Sequence, residues 1–233
     1  NKTEQLIVHD FIFSSNPVFL KFGFNSIYSI NLKNSKKHFK NSSTYKNQET
    51  SNLFSLIDLN TSIPLVKETD NYIKEFIPKL SLFLSPNKSD NIRTLDRKIN
   101  NTNIFSTNRL GLRESLEGGQ SLTLGTEYNL NKSDGSNIFQ IDLAQIYRAN
   151  DENNLPTKTS MNNKVSNLFG DVKLNANQYL DFEYNFALDD NFKTLNYNMI
   201  KSTFSINNFV TSFEFLEENN TMGSTSYLSN ETS

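Results

Sequence analysis

QYLDFEYNFAL, residues 178–188, decides how this chain is read. Leu180, Phe182, Tyr184, Phe186 and Leu188 occupy alternate positions, with Asp181, Glu183 and Asn185 between them. Successive side chains leave a pleated backbone on opposite sides, so this alternation gives one apolar and one polar face. A helix would scatter the same aromatics around its axis. The pattern repeats outward in both directions. In 120–130, Leu122, Leu124, Tyr128 and Leu130 oppose Ser121, Thr123, Gly125, Glu127 and Asn129. In 137–148, Phe139, Ile141, Leu143 and Tyr147 oppose Gln140, Asp142 and Arg148, and in 209–217 Phe209, Phe213 and Phe215 oppose Ser212 and Glu214. From Val18 to Leu32 the even positions are nearly all apolar, which reads as one long strand.

Turn chemistry separates the runs. Ser133-Asp134-Gly135-Ser136-Asn137, Asp189-Asp190-Asn191 and Asn207-Asn208 are rich in residues that tolerate left-handed backbone angles. The two runs flanking Asp189–Asn191, 178–188 and 192–206, should form a hairpin. Longer polar connectors are expected at 33–51, 66–74, 85–103 and 148–164. The predicted architecture is all-β, an antiparallel up-and-down meander of about ten to twelve strands. Several runs reach 11 to 15 residues, whereas strands of soluble proteins are usually about 5–6 and a tilted membrane-crossing strand needs about 9–11. Strand length and charge-free apolar stripes favour part of a large transmembrane β-barrel. A soluble β-sheet protein is the alternative.

Composition agrees with a barrel while excluding other classes. Only 36% of residues are hydrophobic and the mean hydropathy is −0.55. No run approaches the roughly 18 apolar residues of a membrane helix, but a barrel exposes only alternate residues to lipid and keeps its mean hydropathy low. The absence of cysteine rules out disulfides, thiol catalysis and cysteine metal sites. A net charge of −2 gives no global reason to expect nucleic acid. Asn, Ser, Lys and Phe are abundant, a bias that fits an AT-rich genome and carries no mechanism. The chain opens on Asn1 and stops at Ser233 in extended-looking sequence, so residues 1–233 are expected to be a fragment of a single barrel domain.

One stretch adds a family resemblance. Residues 75–130 read EFIPKLSLFLSPNKSDNIRTLDRKINNTNIFSTNRLGLRESLEGGQSLTLGTEYNL. This resembles the segment of LptD (OstA) barrels in which a PKLSL strand and SPN lead to a polar loop, an NIFS.NR element, an EGG turn and an SLT.G.EY strand. The matching residues include Asn103, Phe105, Asn108, Arg109, Glu117, Gly118, Gly119, Gly125 and Tyr128. The downstream hairpins to residue 217 are similar as well. Gly118-Gly119 supplies freedom for a tight turn, and Gly125, on the face opposite Leu122 and Leu124, leaves room for close approach. Arg109 should meet Glu117 if its strand pairs with the next, as a loop-anchoring ion pair or as a contact to an anionic glycolipid.

The resemblance implies transport and no enzymatic activity. Barrels of this family insert lipopolysaccharide into the outer leaflet of the outer membrane. They are fed by periplasmic lipopolysaccharide-bridge proteins through an N-terminal jellyroll domain, and an LptE-like lipoprotein plugs the lumen. Sugars would pass a polar interior while acyl chains leave sideways into lipid, so the polar stripe is the expected substrate path: Thr123, Glu127, Asp142, Lys173, Asp181 and Glu183. For each of these a hydrated interior residue is the simpler reading. No cofactor is expected. His9 and His38 lie far apart without ligand spacing, and no phosphate-binding glycine motif or nucleophile elbow occurs. Lys33, Lys36, Lys37, Lys40 and Lys46 form an expected basic loop, a solvated connector or an attractor of phosphates. A solute-conducting porin and a soluble carbohydrate-binding protein are the competing functions.

Overall fold

The computed structural model describes residues 2–43 and 47–232. They form one antiparallel sheet of thirteen strands: β1 (Thr3–Ser14), β2 (Val18–Phe19), β3 (Asn25–Lys40), β4 (Gln48–Ser62), β5 (Leu65–Glu68), β6 (Tyr72–Ser85), β7 (Gly119–Lys132), β8 (Asn137–Arg148), β9 (Leu168–Asn177), β10 (Leu180–Leu188), β11 (Leu195–Ile206), β12 (Phe209–Glu218) and β13 (Ser226–Thr232). β2 pairs β3 beyond the end of β1, and β5 pairs β6 beyond β4, so each prolongs its predecessor. The sheet is then a meander in which every neighbour follows in chain order, with β1 and β13 at its edges. The expected hairpin is present: β10 pairs β11 from Leu180↔Phe204 onward, with a bulge at Ala187/Leu188. Its turn covers 189–194, wider than Asp189–Asn191, because the Asp189 carboxylate accepts the Lys193 and Thr194 amides at 2.7 and 3.2 Å.

Three expectations change. The connector expected at 66–74 is mostly strand, since β5 runs to Glu68 and β6 starts at Tyr72, and Val66–Glu68 pair with Ile73–Glu75. The run 18–32 is broken at Lys21–Gly23, a 3-10 turn in which Phe22 takes φ 67. The alternation there passes through a turn, and Phe22 is exposed rather than aligned with a strand face. The supposed connector 33–51 is largely strand: β3 runs to Lys40, paired with β1 on one side and β4 on the other. The basic loop is therefore mostly a strand rim, and Lys46 lies outside the described residues. Polar residues on both faces of 33–40 hid the strand, since ladder hydrogen bonds do not require an apolar stripe.

The two faces are inverted relative to a soluble sheet. Ser29, Asn31, Lys33 and Ser35 of β3, Asp58 of β4 and Thr123 of β7 are buried. Phe11, Phe13, Leu32, Ile57, Leu84, Leu124 and Phe213, on the opposite face, are exposed. Leu180 is exposed, and Phe182, Tyr184 and Phe186 are half-buried only by each other and their strand neighbours. The end of the Phe186 ring covers Gly170 of the paired strand, where an added Cβ would come within 2.1 Å of the ring. No second sheet is present among the described residues.

Connections also segregate. Those at one end are short, at 69–71, 133–136, 178–179 and 207–208. At the other end 86–118 and 149–167 are long. The long pair folds back over the polar face and supplies its covering.

Candidate functional site

The inward stripe of β3, β4 and β6–β8 is a seat for the loop 86–118. Arg109 is the centre of it. Its Nε and Nη2 donate to the two carboxylate oxygens of Glu117 at 2.7 and 2.6 Å, a bidentate pair. The same guanidinium donates to Ser121 Oγ at 2.8 Å and Thr123 Oγ1 at 3.2 Å, and lies 4.8 Å from the Phe83 ring centre. Arg148, at the end of β8, donates to the same Glu117 oxygen that accepts Arg109 Nη2 and to the Gly118 carbonyl at 2.5 Å. All three charged side chains are buried. Burial works against the Glu117 charge, yet the two guanidiniums outweigh it and hold its carboxyl below the ordinary range. The expected Arg109–Glu117 contact exists, but both residues belong to the loop rather than to paired strands.

The other motif residues serve the same seat. Gly118 runs against the 87–89 backbone, where a Cβ would lie 2.4 Å from the Ser89 nitrogen, and Gly119 turns at φ +87 into β7. Phe105 sits over Gly125, whose missing Cβ would fall 2.7 Å from the ring. Asn108 closes the tip by accepting the Leu112 amide at 2.8 Å and donating back to the Leu112 carbonyl at 3.0 Å. Asn103 accepts the Asn100 amide at 3.0 Å and donates to the Lys98 carbonyl at 3.1 Å. Tyr128 alone points to the apolar outer face, 6.3 Å from the Phe139 ring. On the far side, Lys33 Nζ donates to the Leu112 and Arg113 carbonyls, each at 3.2 Å, and pairs with Asp10 at 3.0 Å. That lysine is held inside the protein and is not offered to a phosphate.

Apolar groups of the loop complete the filling. Ile99, Ile104, Leu110 and Leu112 pack with Leu155 and Met161 of the 149–167 loop, Met222, and Ala144, Ile146, Phe169 and Ala187 of the wall. Leu116 joins Phe54, Leu56 and Phe83 in a second cluster. This part of the polar face is packed, not an open water channel.

Beside the filling is a cavity of about 530 Å³. Four of the six residues expected along the substrate path line it: Glu127, Asp142, Lys173 and Glu183. Glu127 pairs with Lys79 and accepts Asn129 at 2.6 Å; Asp142 accepts Gln140 at 2.7 Å; Glu183 accepts Asn185 at 3.0 Å. Lys173 stands 3.7 Å from Asp171. Asp181 borders a smaller neighbouring hollow of about 130 Å³ together with Lys201. Thr123 is apart from both, 0% exposed beneath Arg109. Sequence reasoning passed over Lys79, Asp171 and Lys98. The first two share the inward parity of their strands and were findable. Lys98, which pairs with Glu218, reaches the cavity from the loop and left no periodic signal. Glu127, Asp142 and Asp171 stand opposite one another on β7, β8 and β9, a row of carboxylates relieved by Lys79 and Lys173. Among the described residues no cluster of His, Cys, Asp or Glu could hold a metal ion.

A single long-stranded meander, open at β1 and β13, apolar on one face and polar on the other, with its polar face covered by its own loops, has the make-up of a section of β-barrel wall. The family model described as "LptD: LPS transport system D" matches residues 14–232, and the chain belongs to that family. A search among curated proteins returns no match.

Proposed function

We propose that this chain forms part of the barrel wall of an outer-membrane translocon that inserts lipopolysaccharide into the outer leaflet. The observation that carries this is the inverted sheet with a motif-built lumenal filling, in a member of a lipopolysaccharide-transport family. The role is that of a scaffold rather than an enzyme. The long-loop end faces outward from the cell and the short-turn end faces the periplasm, following the usual asymmetry of such barrels. The unpaired edges β1 and β13 support the reading that residues 1–233 are one part of a larger barrel domain. Further strands, a periplasmic jellyroll and bridge proteins contacting it belong to this proposal, as does a lipoprotein plug.

The substrate path in this reading is the cavity beside the filling. Glu127, Asp142, Lys173 and Glu183 line it and Asp181 borders its neighbour, so five of the expected residues are candidates for contact with hydrated sugars. Thr123 holds the loop instead. The competing solute porin needs an open lumen, and the packed cluster around Ile104 and Ile146 works against that here.

The test is site-specific photocrosslinking in cells. A benzophenone amino acid at Asp142 or Glu183 should yield lipopolysaccharide adducts on the assembled protein, and one at Leu155, inside the packed filling and away from the cavity, should not. Assembled protein with no adduct at either lumenal position would remove the proposal.

A further inference from the structure

The turn between β1 and β3 differs from every other connection at its end of the sheet. The others carry at most one aromatic, Tyr179, and are otherwise polar: Thr69-Asp70-Asn71, Ser133-Asp134-Gly135-Ser136, Gln178-Tyr179 and Asn207-Asn208. This one reads Val18-Phe19-Leu20-Lys21-Phe22-Gly23-Phe24. Phe19 and Leu20 are exposed, and Phe22 is 91% exposed. With Val18 exposed as well, these four apolar side chains form one bare patch, and such a patch marks an interaction surface rather than ordinary contact with water.

Two further features show that it is built rather than incidental. Phe22 sits at φ 67, a left-handed conformation that disfavours any residue with a Cβ, although Gly23 follows directly. The turn is also tied down. Leu20 donates to the Phe24 carbonyl at 2.8 Å, the Ser15 amide donates to the Tyr28 carbonyl at 2.9 Å, and the Tyr28 amide donates to Ser15 Oγ at 3.2 Å.

Its position identifies the occupant. Val18 pairs with Ser26, on the same outward parity as Tyr28, Ile30 and Leu32 of β3. Across the strand pair Phe13 faces Ile30 and Phe11 faces Leu32, with the Phe13 and Tyr28 rings 6.1 Å apart. The exposed turn thus begins where the lipid-facing apolar stripe ends, just past the last paired residues Val18 and Phe19. Lys21 is its one charge, next to the aromatics, as in segments that place rings at the acyl boundary and an ammonium among headgroup phosphates.

We propose that Val18–Phe24 is a membrane-interface anchor, a turn whose Leu20 and Phe22 side chains insert into the headgroup–acyl boundary of the leaflet on the short-turn side. The anchor fixes the depth of the β1–β3 edge while the polar turns at that end stand in water. This rests on the transmembrane-barrel reading above.

The chain contains no cysteine, so Phe22→Cys creates a unique spin-label site in it. Collision with lipid-soluble oxygen is compared with collision with an aqueous nickel chelate, for the full protein in phospholipid bilayers. The expected result is a Phe22→Cys label favouring oxygen at shallow depth, with Leu20→Cys agreeing. An Asp134→Cys label on a polar turn should favour nickel, and a Leu82→Cys label in the stripe should favour oxygen at greater depth. Nickel-dominated collision at both turn sites, with Leu82→Cys still in lipid, overturns the anchor alone. Turn labels immobilised and shielded from both reagents would mean that protein covers the turn, which also overturns it. Nickel-dominated collision at Leu82→Cys would instead sink the barrel reading on which the anchor rests.

Discussion

Glu117→Gln should release the lumenal loop. The Glu117 carboxylate accepts Arg109 Nε at 2.7 Å, Arg109 Nη2 at 2.6 Å and a third hydrogen bond from Arg148 Nη1. Glutamine offers one carbonyl oxygen in place of two anionic ones, and its amide donors would face guanidinium donors. Two buried cations are then left without their shared anion. Removing one partner from a buried ion pair costs about 3–5 kcal/mol, and each 1.4 kcal/mol is about tenfold in an equilibrium. The ratio of seated to released loop should therefore fall roughly a hundred- to a few thousand-fold. Amide hydrogen exchange on the assembled, membrane-inserted protein reads this directly. Amides of 99–112 should exchange faster by about that factor, while β6 and β7 ladder amides change little. An Asn101→Ala control removes only a 3.1 Å bond to the Asp142 carbonyl and should leave most of the protection. Wild-type exchange in the Glu117→Gln loop would refute the claim that the buried triad holds it.

The same carboxylate gives a pH dependence. Its folded-state pKa is depressed by the two arginines against the cost of burial, so its contribution is fully present above the unfolded carboxylate value and lost as pH falls through the lower folded one. Loop protection, after correction for the intrinsic pH dependence of amide exchange, should be flat across neutral pH and fall only in acid, and Glu117→Gln should abolish that acid-dependent fall. Phe182→Arg places a guanidinium on the lipid face at a cost of about 2–4 kcal/mol near the bilayer midplane, whereas Asp181→Arg alters an exposed residue on the inner face. Outer-membrane abundance and heat-modifiability should drop for the first and hold for the second; equal tolerance would mean the two faces are assigned wrongly. Gly125→Ala puts a Cβ 2.7 Å from the Phe105 ring and 2.8 Å from the Leu143 carbonyl. We expect about 1–3 kcal/mol of destabilisation from such overpacking, partly recovered by Phe105→Leu and measured by the temperature at which the heat-modifiable band is lost.

The fold was legible because a barrel wall is written locally. Each strand must carry its own apolar stripe, so period two in 178–188 or 120–130 gives strand, face and approximate ends without knowledge of any partner. Where one face is not required to be apolar, that signal fades, and β3 beyond Leu32 reads as a loop although β1 pairs with it to Lys40 and β4 to Phe39. Periodicity also misled at 18–24, where alternate apolar residues run through a turn whose Phe22 angle no pattern announces.

The site divides along the same line. Parity in sequence determined that Glu127, Asp142, Lys173 and Glu183 share the inner face, because that follows from the pleat. It could not determine that all four line one cavity while Thr123 is sealed away. That outcome depends on where loop 86–118 folds, and the loop has no period to read. Arg109, Glu117 and Arg148 lie up to 39 positions apart in the numbering, and only the register of β7 with β8 brings Arg148 opposite Ser121 and within reach of the carboxylate. Their burial makes the pairing strong, since charges withdrawn from water must be satisfied by one another. Which charges are withdrawn was decided by the tertiary structure alone.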